Sequence, residues 1–184
     1  PELCRAHDGE SRDMEWSKKH CLQDHLVYLS LTAGAKIGVT RATQIPTRWI
    51  DQGAHEAIEI VEVPNRYLAG ITEVALKSHV SDKTNWRKML TNDILDLNLE
   101  EEREKLKEFI PEEAKEYYIQ NNKETEIKFP VKQFPEKIKS LNLVKNPFYE
   151  GTLKGIKGQY LIFEDGTVFN VRGNEGLVVE LKVL

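Results

Sequence analysis

The sequence predicts an α+β protein: a small sheet of three strands flanked by helices, an acidic helical stretch, and a small all-β module at the C-terminus. Three observations predict it. Strand-length apolar runs recur at 26–31, 36–40 and 58–63, and helical periodicity lies between and after them. Acidic residues concentrate in 93–126, a local charge of −7 on a pattern that reads as helix. From 149 onward the chain turns into short strand-like runs punctuated by Gly-containing turns. These shifts divide the chain into 1–25, 26–92, 93–126 and 127–184.

Each element has a local reason. LVYLSL and KIGVT flank Thr32-Ala33-Gly34-Ala35, which reads as a hairpin. Pro46 then opens a helix over 47–57, since proline is tolerated in a first turn. IEIVEV at 58–63 alternates with period two and stops at Pro64. Leu68, Ile71, Val74, Ala75 and Leu76 place an amphipathic helix over 67–79. Within the acidic stretch, Leu99, Leu106, Phe109 and Ile110 give one apolar face, and Pro111 interrupts it. Strands are expected at 149–156, 159–163, 167–171 and 177–183. The Asp165-Gly166 turn is the strongest hairpin signal among them, and the module reads as a small barrel.

Hydrophobic residues make up 40% of the 184 and charged residues 30%, which suits a globular chain. No apolar run approaches the roughly 20 residues of a membrane span, and no signal peptide is visible. The first residue is Pro1 rather than Met, so an upstream segment can exist. Two cysteines do not make a disulfide framework, and the expected setting is cytoplasmic. The net charge is −4, yet 32–48 and 74–92 each carry +3, and such local patches are what phosphates would meet.

The N-terminal spacing is Cys4-x2-His7, then thirteen residues, then Cys21-x3-His25, which matches two pairs of structural zinc ligands. The segment is too polar to order itself on a core, and a closed zinc site would give it a reason to fold. His20 is an alternative to His25, and two free cysteines with surface histidines are the plain alternative to zinc.

Four further residues stand out by type and order: Tyr28 on the first strand, Lys36 before Ile37-Gly38 on the second, Arg48 on the next helix, and Glu73 on the one after. Singly, each is an ordinary half-core or surface residue. In this order they resemble the GIY-YIG nuclease superfamily over about 26–90. That pattern has a first-strand Tyr, a second-strand Tyr-Ile-Gly-x-Thr, an Arg and a later Glu. PELC, RDMEW, HC, VYL, KIGVTR, IPTRWIDQGA and DKTNWRKML also resemble, over nearly the whole chain, the bacterial family known as domain of unknown function 2797. That second resemblance implies further cysteines before Pro1 and often a Cys at the position of Ser11, which bears on His7 as fourth ligand.

The first resemblance implies a three-stranded antiparallel sheet and a metal-dependent phosphodiesterase acting on DNA or RNA. Glu73 would hold Mg²⁺ or Mn²⁺, a hard cation suited to carboxylate and water. Arg48 would grip the non-bridging oxygens with its fork. Tyr28 would orient or deprotonate the attacking water. Arg41, Lys77 and Asn85 are candidate substrate contacts. Trp49 and Gln52 would touch nucleic acid by stacking and hydrogen bonding, or else serve the core and a turn, and His55 is an auxiliary base candidate. Lys36 departs from the superfamily's second Tyr, as a base or as a phosphate contact. The alternatives are a non-catalytic nucleic-acid or ribonucleoprotein binder with a decayed site, and a zinc-stabilised scaffold docking through the acidic helices.

Overall fold

A computed structural model describes residues 1–80 and 85–183 and divides into two compact units, Pro1–Lys128 and Phe129–Leu184. In the first unit, β1 (His25–Leu31), β2 (Ala35–Arg41), β3 (Glu56–Val63) and β4 (Thr125–Glu126) form one antiparallel sheet in the order β2-β1-β3-β4. The expected three strands are thus joined by a two-residue fourth. Helices α1 (Met14–His20), α2 (Thr47–Asp51), α3 (Arg66–Lys77), α4 (Trp86–Leu90) and α5 (Leu99–Leu106) complete the unit.

The sheet is covered on both faces, which explains why all seven residues of β1 are buried rather than alternating. Val27, Leu29, Ile37, Ile58 and Ile60 pack with Ala69 and Leu76 of α3 and with Leu99 and Leu106 of α5. Tyr28 and Ala57 face the other way and pack with Trp49 of α2. A register shift in the β1–β3 ladder after Val27 accommodates Ile60.

Side chains that cap the helices fix where they start. Asn65 accepts from Leu68 N at 2.9 Å at the head of α3, and Asn98 accepts from Glu101 N at 2.9 Å at the head of α5. The helix expected over 47–57 is only one turn and a half. Gly53 at φ +70° leaves it, and the chain enters β3 at Glu56. The 93–126 stretch is not a free linker in space, because Leu99, Leu106, Ile110 and Ala114 belong to the core under the sheet.

The second unit holds β5 (Lys139–Ser140), β6 (Leu153–Lys157), β7 (Tyr160–Phe163) and β8 (Thr167–Asn170) in the order β5-β8-β7-β6. β5 runs parallel to β8 and the other pairs are antiparallel. The expected barrel is an open four-stranded sheet. The strand expected over 177–183 is absent: its alternating residues find no sheet edge, and Val178 and Val183 are exposed. The Asp165-Gly166 turn is present. Gly166 sits at φ +81°, and Asp165 accepts from Thr167 N and Oγ1 and from Tyr149 Oη at 2.9–3.0 Å.

Lys157 is buried in this unit, with Nζ 5.6 Å from the Phe129 ring centroid and 5.4 Å from that of Phe134. Burial pushes its pKa down to about 8. An unfolded chain would keep that proton up to roughly pH 10.4, so it binds more protons than the folded unit between about 8 and 10.4, and stability rises with pH across that window. Lys157→Met removes this linkage, so its stability relative to wild type is expected to be higher at neutral than at alkaline pH. Denaturant titrations should show this relative stability falling as pH passes from about 8 to about 10.4. A pH-independent difference would contradict the assignment.

Candidate functional site

The β1–β2 register sets Tyr28 opposite Gly38 and Ser30 opposite Lys36. With the two-residue period of strands, these four positions share the face that carries α2. Gly38 is required by this pairing. A Cβ there would lie 2.5 Å from both Cζ and Oη of Tyr28, so the phenol ring lies across bare backbone toward the edge strand β2. The Gly of Lys-Ile-Gly is thus a seat for the tyrosine.

Tyr28 is fully buried, with Trp49 edge-on at 5.9 Å between centroids. Its hydroxyl meets Gln52 at 2.9 Å. In the amide orientation that satisfies both ends, Gln52 donates to Tyr28 Oη and its oxygen accepts from Arg48 Nε and Nη2 at 3.3 and 3.2 Å. Gln52 therefore couples the buried phenol to the Arg48 guanidinium. Burial pushes the Tyr28 pKa above its ordinary value; Arg48 and Gln52 pull against that, and the charge of Glu73 adds to it. Tyr28 stays protonated at neutral pH.

Glu73 projects from α3, which packs on the opposite face of the sheet but whose charge reaches Tyr28 Oη. It is mostly shielded from solvent, and its ion pair with Lys77, one turn on, is long at 3.8 Å. Lys36 is half-buried, and its ammonium has no hydrogen bond or ion pair among the described residues. Ser30 Oγ and Trp49 Nε1 are buried on this side of the sheet with no hydrogen-bond partner among the described residues. Tyr28 and Lys36 thus share one face of the hairpin, Arg48 joins Tyr28 through Gln52, and Glu73 acts on Tyr28 by its charge from α3.

Other expected residues lie elsewhere. Trp49 is 3% exposed and belongs to the core, so its ring is not offered to a base. Arg41 is at the far end of β2, opposite His25, and by alternation on the other face from Lys36. Asn85 is spent as the cap of α4, accepting from Arg87 N and Lys88 N at 3.0 and 3.4 Å. His55 lies 3.6 Å from Glu56. Of the motif DKTNWRKML, residues 82–84 fall outside the described residues.

The four expected zinc ligands are not assembled. His7 stacks on Tyr67 at 4.3 Å. His25 is buried, its Nδ1 is 2.7 Å from Gln23 O, and burial, then Arg66 and Arg41, hold its pKa below the usual value. His20 stacks on Trp16 and bonds Trp16 O. Only Cys4 and Cys21 line a common cleft, and no group of three or more His, Cys, Asp or Glu is placed to hold a metal among the described residues. The donors present do not fit a closed zinc site. Glu73, a single shielded carboxylate with one loose partner, does fit a hard cation that keeps most of its water. No described helix is long and apolar enough to cross a membrane.

Fold and cluster together define an α+β protein with a polar constellation on one face of an edge hairpin. The chain belongs to the family described as protein of unknown function (DUF2797), whose model matches residues 1–179. That bears out the family resemblance carried by motifs such as IPTRWIDQGA. No curated protein and no solved structure matches the chain.

Sequence reading under-weighted Gln52. Its spacing of four from Arg48 was the available signal, since i and i+4 on a helix are neighbours.

Proposed function

We propose that the chain is a metal-dependent phosphodiesterase acting on nucleic acid, built on a GIY-YIG-like sheet. The observation that supports this best is the Tyr28–Gln52–Arg48 chain of hydrogen bonds, seated on Gly38, within reach of the Glu73 charge, and on the same sheet face as Lys36, which has no ion pair among the described residues. A Mg²⁺ or Mn²⁺ ion at Glu73 would supply neutralisation of charge on the reacting phosphate. Arg48, with Gln52 fixing one edge of its fork, turns the remaining N–H groups to non-bridging oxygens. Lys36 adds a point charge to the same phosphate. Tyr28, buried and protonated, acts as a positioning residue: it holds Gln52, and through it Arg48.

A second reading has its own observation. A fully buried Tyr28 and a Lys where the superfamily has its second Tyr also suit a protein that binds nucleic acid without cutting it.

The test is cleavage of labelled single- and double-stranded DNA and RNA with Mg²⁺ or Mn²⁺, beside a chelator control. Ion-dependent cleavage is expected; salt-sensitive binding without cleavage would favour the second reading. Tyr28→Phe should slow cleavage about tenfold and leave its pH dependence unchanged. Loss of more than about a hundredfold, with a limb of the pH profile gone, would instead make Tyr28 a base.

A further inference from the structure

A cleft of about 640 Å³ opens between the N-terminal segment and the start of α3. Its size is that of a small-ligand site. Arg5, Arg12 and Arg66 line it, together with Glu10 and Asp13. The acids are already used. Glu10 pairs with Arg5 at 3.1 Å, and Asp13 caps α1 by accepting from Trp16 N at 2.9 Å. Arg12 and Arg66 have no ion pair or side-chain hydrogen bond among the described residues. Trp16, on the same cleft, is 49% exposed, and one face of its ring is covered by His20. Two guanidiniums without an ion pair among the described residues, Arg66 within reach of the Glu2 charge, stand beside an accessible indole, which is what a phosphate and its base require.

The cleft is tied to the proposed reaction site through α3. Arg66 is the first residue of that helix, and its N–H donates to Cys21 O at 2.8 Å, fixing the cleft wall. Glu73 lies seven residues on, about 20° short of two full turns and about 10.5 Å along the axis, so the two side chains stand on one stripe, with the Pro1–Glu2 backbone packed on Gly70 between them.

We propose that this cleft seats a flanking phosphate and base of a single-stranded nucleic acid whose reacting phosphate lies at Glu73. The inference rests on the nucleic-acid reading above. A free strand suits it because a stacked duplex offers no base face to Trp16.

Anisotropy titrations of labelled single-stranded DNA and RNA against the full chain test it, across a range of salt. Arg12→Ala and Arg66→Ala should each weaken binding about fivefold at about 0.1 M salt and make the log–log salt slope shallower by about 0.7. Arg12 is exposed and has no ion pair or side-chain hydrogen bond among the described residues, so its variant should fold normally. Lys18→Ala, an exposed change on α1, should leave both affinity and slope alone. If wild type binds and both arginine variants match it in affinity and slope, the cleft is not the seat and the nucleic-acid reading survives. If wild type binds neither DNA nor RNA, both fall together.

Discussion

Gly38→Ala is expected to destabilise the first unit by about 2–3 kcal/mol and to unseat Tyr28. The added methyl would lie 2.5 Å from Cζ and Oη of a ring that is fully buried. That ring is held edge-on by Trp49 and tied at its tip to Gln52, so it cannot move without breaking packing and a buried hydrogen bond at once. Gly34, in the turn of the same hairpin, is the control. A Cβ there meets nothing within 4 Å, and Gly34→Ala should be neutral or slightly stabilising. Denaturant midpoints of the two variants separate a seat for Tyr28 from a general effect of alanine in the hairpin. Equal stabilities would remove the seat from the account.

Glu73→Gln and Arg48→Ala are each expected to lower cleavage by about a hundred- to a thousandfold, the usual cost of removing one preorganised charge from a reacting centre. Glu73→Gln keeps size and polarity and removes the charge that holds a cation. Arg48→Ala removes the guanidinium and leaves Gln52 holding only Tyr28. Arg48→Lys should recover little, since an ammonium cannot serve Gln52 and a phosphate with one planar fork. Glu73 is also paired loosely with Lys77, so Lys77→Ala should cost much less than Glu73→Gln.

The hairpin was legible because its two strands are apolar in long runs and bounded by a turn, and β3 because IEIVEV alternates before a proline. The candidate cluster was legible because strand period and register are enough to put Tyr28 and Lys36 on one face. Burial was harder to read. Trp49 stands in the same short helix as Arg48, yet only the packing of α2 on Tyr28 decides which of them faces the core. The Cys and His spacing at the N-terminus suited zinc, but His7 and His25 are drawn off to Tyr67 and Gln23 by contacts distant in sequence or too local for the motif. At the other end, LVVELKV has a strand's alternation and no sheet edge to join, which no local pattern reveals.

Single-turnover cleavage of a labelled strand under saturating protein, with Mn²⁺ and then with chelator, is the most direct test of the proposed site. Wild type beside Glu73→Gln isolates the chemical step from binding. Ion-dependent cleavage by wild type, reduced at least about a hundredfold in Glu73→Gln with binding unchanged, is the predicted result. Equal rates in the two proteins, or binding by wild type with no cleavage at all, would contradict a phosphodiesterase centred on Glu73.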